Sequence, residues 1–218
     1  MPTRVLIVED NPVARSFLMR VVSESFSDDL EFTQASDLHS ARSALGLDSA
    51  GVDPLAGEPY SLILCDLEVE DGSGLELLAQ LVNYPATKIA TTLHSDDEHL
   101  FPALRCGADG YLLKEDRFEV LVEDLQKIVR GQPPVSPAIA RRLLGFFKGP
   151  STDPAGLSGR EHEVLSAMSK GFTLKEVART LGIQWFAVND HVRAVYRKLA
   201  EASARTMKAA PGHADSQA

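Results

Sequence analysis

At 218 residues, with 44% hydrophobic and 24% charged side chains, the chain has ordinary globular composition, long for one domain and short for two large ones. No run of about 18 apolar residues occurs, which argues against a membrane-spanning helix. The two cysteines have no Cys-x-x-Cys spacing, which argues against a disulfide framework. The net charge of −9 is uneven: residues 1–150 hold 13 Lys+Arg against 24 Asp+Glu, and residues 151–218 hold 9 against 7. An acidic front and a mildly basic back suggest two tasks.

The pattern predicts a first strand over residues 4–8, ending at Glu9-Asp10. It begins almost at the N-terminus with no signal-peptide pattern, so a cytoplasmic protein with reduced thiols at Cys65 and Cys106 is expected. Asn11-Pro12 is an N-cap followed by proline at the first helical position, and opens a helix to about Phe26. A second strand is expected over 30–35 and a helix over 37–47; residues 46–59 have loop composition and no periodicity. Leu62-Ile63-Leu64-Cys65 is an apolar run of strand length with Asp66 directly after it. A helix over 75–81, a strand over 88–93 and a short helix through Leu100 and Leu104 follow. A strand at 111–113 then ends at Lys114. Phe118, Leu121, Val122, Leu125, Ile128 and Val129 form an amphipathic stripe. Five βα units in series predict a five-stranded parallel doubly wound α/β domain over residues 1–131.

In such a sheet, ligands bind at the carboxyl ends of the strands. Glu9, Asp10, Asp66, Thr92 and Lys114 all fall there. Asp66 taken alone is a spacer, a metal ligand or a nucleophile. Three carboxylates in one crevice need a cation, and oxygen-only ligands with phosphate chemistry favour Mg²⁺. Asp66 can then attack phosphorus, Lys114 can pair with a phosphoryl oxygen, and the Thr92 hydroxyl can donate to another.

Residues 132–156 read as a linker carrying a short helix capped by Ser136-Pro137. Residues 157–208 read as a smaller all-α unit, with a disordered tail expected over 209–218. Ser158-x-x-Glu161 and Thr173-x-x-Glu176 are capping boxes, and Gly171 and Gly182 terminate the helices they open. Two short helices joined by a glycine turn fit a helix-turn-helix. On the third helix Val188, Val192, Val195 and Leu199 form an inner stripe, with Asp190, Arg193 and Arg197 opposite and Asn189 flanking. Asn and Arg can read bases, while Lys175, Arg197 and Lys198 suit phosphates. The bland alternative is a solvated charged face. Asp190 is unfavourable toward DNA unless it pairs with Arg193 or accepts from a cytosine amino group. Trp185-Phe186 needs burial or a partner, and a short, poorly apolar final helix is expected over 200–210.

Residues 3–131 resemble the receiver domain of two-component response regulators: Glu9-Asp10, Asp66, Thr92 and Lys114 occur in that family's order, with Tyr111 at its aromatic switch position. With GADGYLLKED (107–116) and LSGREHEVLSAMSKGFTLKEVARTLGI (157–183), the whole chain resembles the NarL/LuxR family. The resemblance implies a CheY-like fold with Asp66 as phosphoacceptor, and Mg²⁺ held by Glu9, Asp10, Asp66 and the backbone carbonyl of Glu68. It also implies a partner histidine kinase, promoter DNA faced by residues 189, 190 and 193, and homodimerisation on activation. Phosphorylation would then control a transcription regulator, not an enzyme turning over a small molecule. In receivers, the side chains at Glu68 and His94 can tune hydrolysis of the acyl phosphate; otherwise they are solvated loop residues. A rival reading is a helical unit that acts through protein–protein contact instead of tight DNA binding. Three departures stand out: Glu70 where the family usually has proline, the 46–59 insertion, and Pro102 inside the helix after the fourth main strand, expected to kink or shorten it.

Overall fold

The computed structural model describes residues 2–48, 58–94, 97–148 and 156–209. Most of the 46–59 insertion, the 149–155 stretch of the linker and the tail from 210 lie outside the described residues.

The elements run β1 (Thr3–Val8), α1 (Pro12–Ser25), β2 (Leu30–Ala35), α2 (Leu38–Ala44), β3 (Leu62–Asp66), β4 (Glu68–Val69), β5 (Gly72–Ser73), α3 (Gly74–Gln80), β6 (Thr87–Thr92), α4 (Asp97–Arg105), β7 (Gly110–Leu113), α5 (Phe118–Val129), α6 (Pro137–Phe146), α7 (Gly159–Ser169), α8 (Leu174–Leu181) and α9 (Trp185–Ala209). Five strands form a parallel sheet in the order β2-β1-β3-β6-β7, and β4-β5 is a small antiparallel ribbon. Parallel sheets are covered on both faces, so their central strands carry continuous apolar runs. Val5 to Val8 and Ile63 to Cys65 are all fully buried. One face packs Leu18, Val21 and Val22 of α1 with Leu121, Leu125 and Ile128 of α5. The other packs Leu38, Leu77, Leu78 and Ala103 from α2, α3 and α4.

The chain reverses its direction of growth between β1 and β3, and a crevice opens at that switch point, beyond the carboxyl ends. Register brings the ends level: Val8 lies beside Cys65, Asp66 beside Thr91, and Thr92 beside Leu113. Gly74, the first residue of α3, lies so close to β3 that an added Cβ would sit 1.9 Å from the Asp66 carbonyl oxygen. Only glycine allows that approach.

In the helical unit, both capping boxes form. Gly182 closes α8 in the left-handed conformation, φ 62°, with its N–H bonded to Arg179 O. The expected inner stripe is buried, with Val188, Val192, Val195 and Leu199 all within 1% of full burial. A separate final helix is not what the structure shows. Residues 200–209 continue α9, making one helix of 25 residues. The reason is local: none of residues 200–209 is glycine or proline, and four of them are alanine. Pro102 falls inside α4, which is nine residues long.

The core of the helical unit does not stop at the linker. Leu100 and Leu104 of α4 belong to the same buried cluster as Ile139 and Leu143 of α6 and Val195 and Leu199 of α9. Phe101 packs edge-on against Phe146 at 6.5 Å, and Arg105 Nε donates to Ser203 Oγ at 3.3 Å. The helix after β6 is therefore a packing partner of the back half.

Candidate functional site: an acidic crevice and a helix-turn-helix

Glu9 and Asp10 leave the end of β1, Asp66 ends β3, Thr92 ends β6 and Lys114 follows β7, so backbone topology alone delivers these groups to one place. Glu9, Asp10 and Asp66 each offer a carboxylate oxygen within 4.8 Å of the other two. Asn11 caps α1 through its side chain, bonding Val13 N at 2.9 Å and Ala14 N at 3.2 Å. That cap fixes the turn carrying the first two acids. Arg15 Nη1 donates to the Glu9 carbonyl at 2.5 Å and holds the same turn from below.

Burial dominates the electrostatics. Glu9 is 1% exposed and Asp66 3% exposed. Burial raises the pKa of both carboxyls, with hydrogen bonding to Lys114 as the main offset. The Lys114 ammonium sits between them, 2.6 Å from Glu9 Oε2 and 2.5 Å from Asp66 Oδ2. Burial opposes that charge, but the hydrogen bonds to Asp66 and Glu9 prevail and hold the lysine pKa above its ordinary value. Behind the site, burial pushes the Cys65 thiol up to about 12, so it stays protonated. One ammonium among three acids leaves negative charge in excess, and the donors are all hard oxygens. This set fits a small divalent cation.

The β4-β5 ribbon is the feature that sequence reading missed. Glu70 N donates to Asp10 Oδ2 at 3.1 Å. A proline there would have no N–H to give, so the departure at Glu70 ties the loop after Asp66 to the acid cluster. The next residue, Asp71, accepts from Leu38 N at 2.8 Å and His39 N at 3.1 Å, capping α2 from outside. The signal lay in the run Glu70-Asp71-Gly72-Ser73, which reads as a tight turn.

At the rim, His94 Nε2 lies 3.1 Å from Glu68 Oε1. Asp66 Oδ1 accepts from Glu68 N at 3.3 Å, and the Thr92 hydroxyl oxygen accepts from His94 N at 3.0 Å. The pocket is open, about 510 Å³, and Val13 and Leu93 stand exposed on its edge. Tyr111 is half-buried on β7 and reaches toward Tyr196 of α9. Burial, with the Tyr111 phenol nearby, holds the Tyr196 hydroxyl well above its ordinary pKa. Tyr196 donates to the Pro134 carbonyl at 2.5 Å.

The candidate DNA-facing residues divide. Asp190 and Arg193 are exposed and paired with each other, and Arg197 is exposed near Glu201. Lys175 is exposed on α8. Two expectations change. Asn189 is turned inward, 3% exposed, because the helix rotates it toward the side of the buried stripe. Lys198 Nζ binds Glu161 Oε2 at 2.7 Å and the Gly156 carbonyl at 3.1 Å, so it completes the α7 capping box instead of standing free for a phosphate.

Residues 5–126 match the model for the response regulator receiver domain, and residues 155–207 match that for bacterial regulatory proteins of the luxR family. The oxygen regulatory protein NreC of Staphylococcus carnosus is 30% identical over 207 residues, covering 90% of each chain. The nitrate/nitrite response regulator NarL of Escherichia coli is 26% identical over 204 residues, covering 91% of this chain and 89% of its own. A structure of two RcsB dimers bound to two parallel DNAs aligns with a TM-score of 0.50 at 18% identity, over 96% of this chain and 100% of that one. The chain therefore belongs to the NarL/LuxR family of two-component response regulators.

Proposed function

We propose that Asp66 accepts a phosphoryl group from a partner histidine kinase, and that the acceptor works with Mg²⁺ held by Glu9, Asp10, Asp66 and the backbone carbonyl of Glu68. The family makes this chain a phosphorylation-controlled transcription regulator. The observation that carries the residue assignment is the cluster of three carboxylates within 4.8 Å around a single ammonium. When bound, Mg²⁺ would neutralise the acids and the incoming phosphoryl oxygens.

Asp66 is held for attack by two donors, Glu68 N and Lys114 Nζ. Its carboxylate oxygen forms the new bond to phosphorus as the bond to the donor's imidazole nitrogen breaks, and the electron pair leaves with that nitrogen. Lys114 then exchanges a carboxylate contact for a phosphoryl oxygen. Thr92 turns its hydroxyl proton toward another. Glu68 and His94, bonded to each other at the rim, would tune hydrolysis of the acyl phosphate.

The output face is the outer side of α9. Asp190, Arg193 and Arg197 line a cleft of about 470 Å³ whose other wall includes Lys88, Gly107 and Asp109 of the receiver. That wall crowds the approach of a duplex to those three side chains, which otherwise stand exposed, and this supports a resting state less open to DNA. Rearrangement of Thr92 and Tyr111 would reach α9 by two routes, the α4–α6 core and the Tyr111–Tyr196 neighbourhood. Binding energy for opening comes from contacts that the phosphoryl group makes in one state and not the other. The RcsB precedent supports DNA-bound dimers as the active form. The luxR match favours DNA over the protein-contact alternative.

Binding to genomic DNA fragments at several salt concentrations, with and without acetyl phosphate and Mg²⁺, tests this reading. Sequence preference that strengthens on phosphorylation and falls steeply with salt is expected. Weak binding indifferent to both would overturn it.

A further inference from the structure

Trp185 and Phe186 open α9, and nothing in the regulator reading so far uses them. They are 50% and 54% exposed, with ring centroids 6.3 Å apart and planes at 79°. Adjacent exposed aromatics are uncommon on a surface without a partner. Neither lines the cleft between α9 and the receiver, whereas Asp190, Arg193 and Arg197 do.

We infer that Trp185 and Phe186 determine DNA specificity by touching thymine methyl groups in the major groove. This rests on the DNA-binding reading above. In helix-turn-helix docking, the N-terminal residues of the second helix meet the base edges. In this chain those residues are Trp185, Phe186 and Ala187, preceded by Gln184. Of the polar candidates further along, Asn189 is buried, Arg193 is paired with Asp190, and Arg197 lines the cleft toward the receiver. The C5 methyl of thymine is the apolar group that a base pair presents in the major groove. The tip carries no acid from Ile183 to Ala187, and it sits at the positive end of the α9 dipole. The nearest acid, Asp190 one turn beyond Phe186, is paired with Arg193, so an apolar reader here can approach the phosphates with little repulsion. A protein-docking patch would use the same aromatics, and the assay separates the two.

The full chain, phosphorylated with acetyl phosphate and Mg²⁺, is used to select duplexes from a randomised pool. The bound sequence is then resynthesised with each thymine replaced singly by deoxyuridine, which removes only the methyl group. The expected result is thymine enrichment at one or two positions. At those positions uridine should weaken wild-type binding about fourfold, the equivalent of about 0.8 kcal/mol for one buried methyl. Trp185→Ala and Phe186→Ala should bind the thymine duplex more weakly and lose the distinction between thymine and uridine. Trp185→Phe and Phe186→Leu, which keep apolar surface, should retain part of it. Circular dichroism and thermal melting establish that each variant is folded. Wild-type binding that is sequence-selective but blind to the methyl overturns this inference alone, as does full DNA affinity in both alanine variants, the outcome for a protein-docking patch. Absence of sequence-selective binding by the wild type overturns the regulator reading, and this inference with it.

Discussion

Replacing Lys114 with methionine keeps most of the unbranched stem and removes the ammonium between Glu9 and Asp66. The contacts at 2.6 and 2.5 Å are each about 6 kcal/mol of gross attraction at an effective dielectric of 20. Desolvation absorbs most of that, and breaking a buried pair costs about 3–5 kcal/mol. Lys114 is 14% exposed and the pocket is open, so the low end applies, about 3 kcal/mol at pH 7.5. The pH dependence has a definite sign. Glu9 and Asp66 already have folded-state pKa values above their ordinary 4.5 and 3.8. Such groups contribute stability that is full below those ordinary values and is lost as pH rises through the folded pKa. Removing the ammonium raises both folded values further, so the penalty should shrink to about 1 kcal/mol near pH 5. Urea unfolding followed by circular dichroism at pH 5 and 7.5 measures this, with and without Mg²⁺. Mg²⁺ should restore most of the loss at pH 7.5. An equal loss at both pH values, untouched by Mg²⁺, would refute the picture of crowded carboxylates.

Asp71→Ala removes the outside cap of α2 and should cost about 1 kcal/mol in urea unfolding. Because Glu70 N holds Asp10 from the same turn, Asp71→Ala should also weaken Mg²⁺ binding measured by calorimetry. Glu161 is 5% exposed; burial raises its pKa, but Lys198 and the Ser158 N–H outweigh that and hold it below 4.5. Its contribution is therefore present above pH 4.5 and lost as pH falls through the lower folded value. Glu161→Gln should cost about 1–3 kcal/mol at pH 7 and lose the wild type's extra sensitivity to acid, read by thermal melting from pH 3 to 7. Asn189 carries a buried side-chain oxygen without a partner. Asn189→Leu should therefore raise the melting temperature, by about 1 kcal/mol in stability, unless overpacking cancels the gain.

Much of the receiver was legible because its signals are local or periodic. Leu62 to Cys65 reads as a doubly buried strand, and strand order then places Asp66, Glu9 and Lys114 together regardless of side-chain detail. Asn11 and both capping boxes were readable for the same reason, since each is a short-range hydrogen-bond pattern. The β4-β5 ribbon was not readable as strands. Each of its strands has two residues, and its anchors, Asp10 and the α2 N-terminus, are distant in sequence. Lys198 misled because a lysine's partner is a tertiary fact: Glu161 lies 37 residues away. Asn189 sits at the border of the helical stripe, where a small rotation decides between solvent and core. The shared α4–α6 core was hidden because Leu100 and Leu104 serve two neighbours, and periodicity shows that a face is buried without showing by what.

The central claim is that Asp66 traps a phosphoryl group covalently, and intact-protein mass spectrometry reads this directly after incubation with acetyl phosphate and Mg²⁺. The added mass of one phosphoryl group is expected. The modification should be labile to hydroxylamine, depend on Mg²⁺ and be lost in Asp66→Asn. An unmodified wild-type chain, or equal modification of Asp66→Asn, would contradict it.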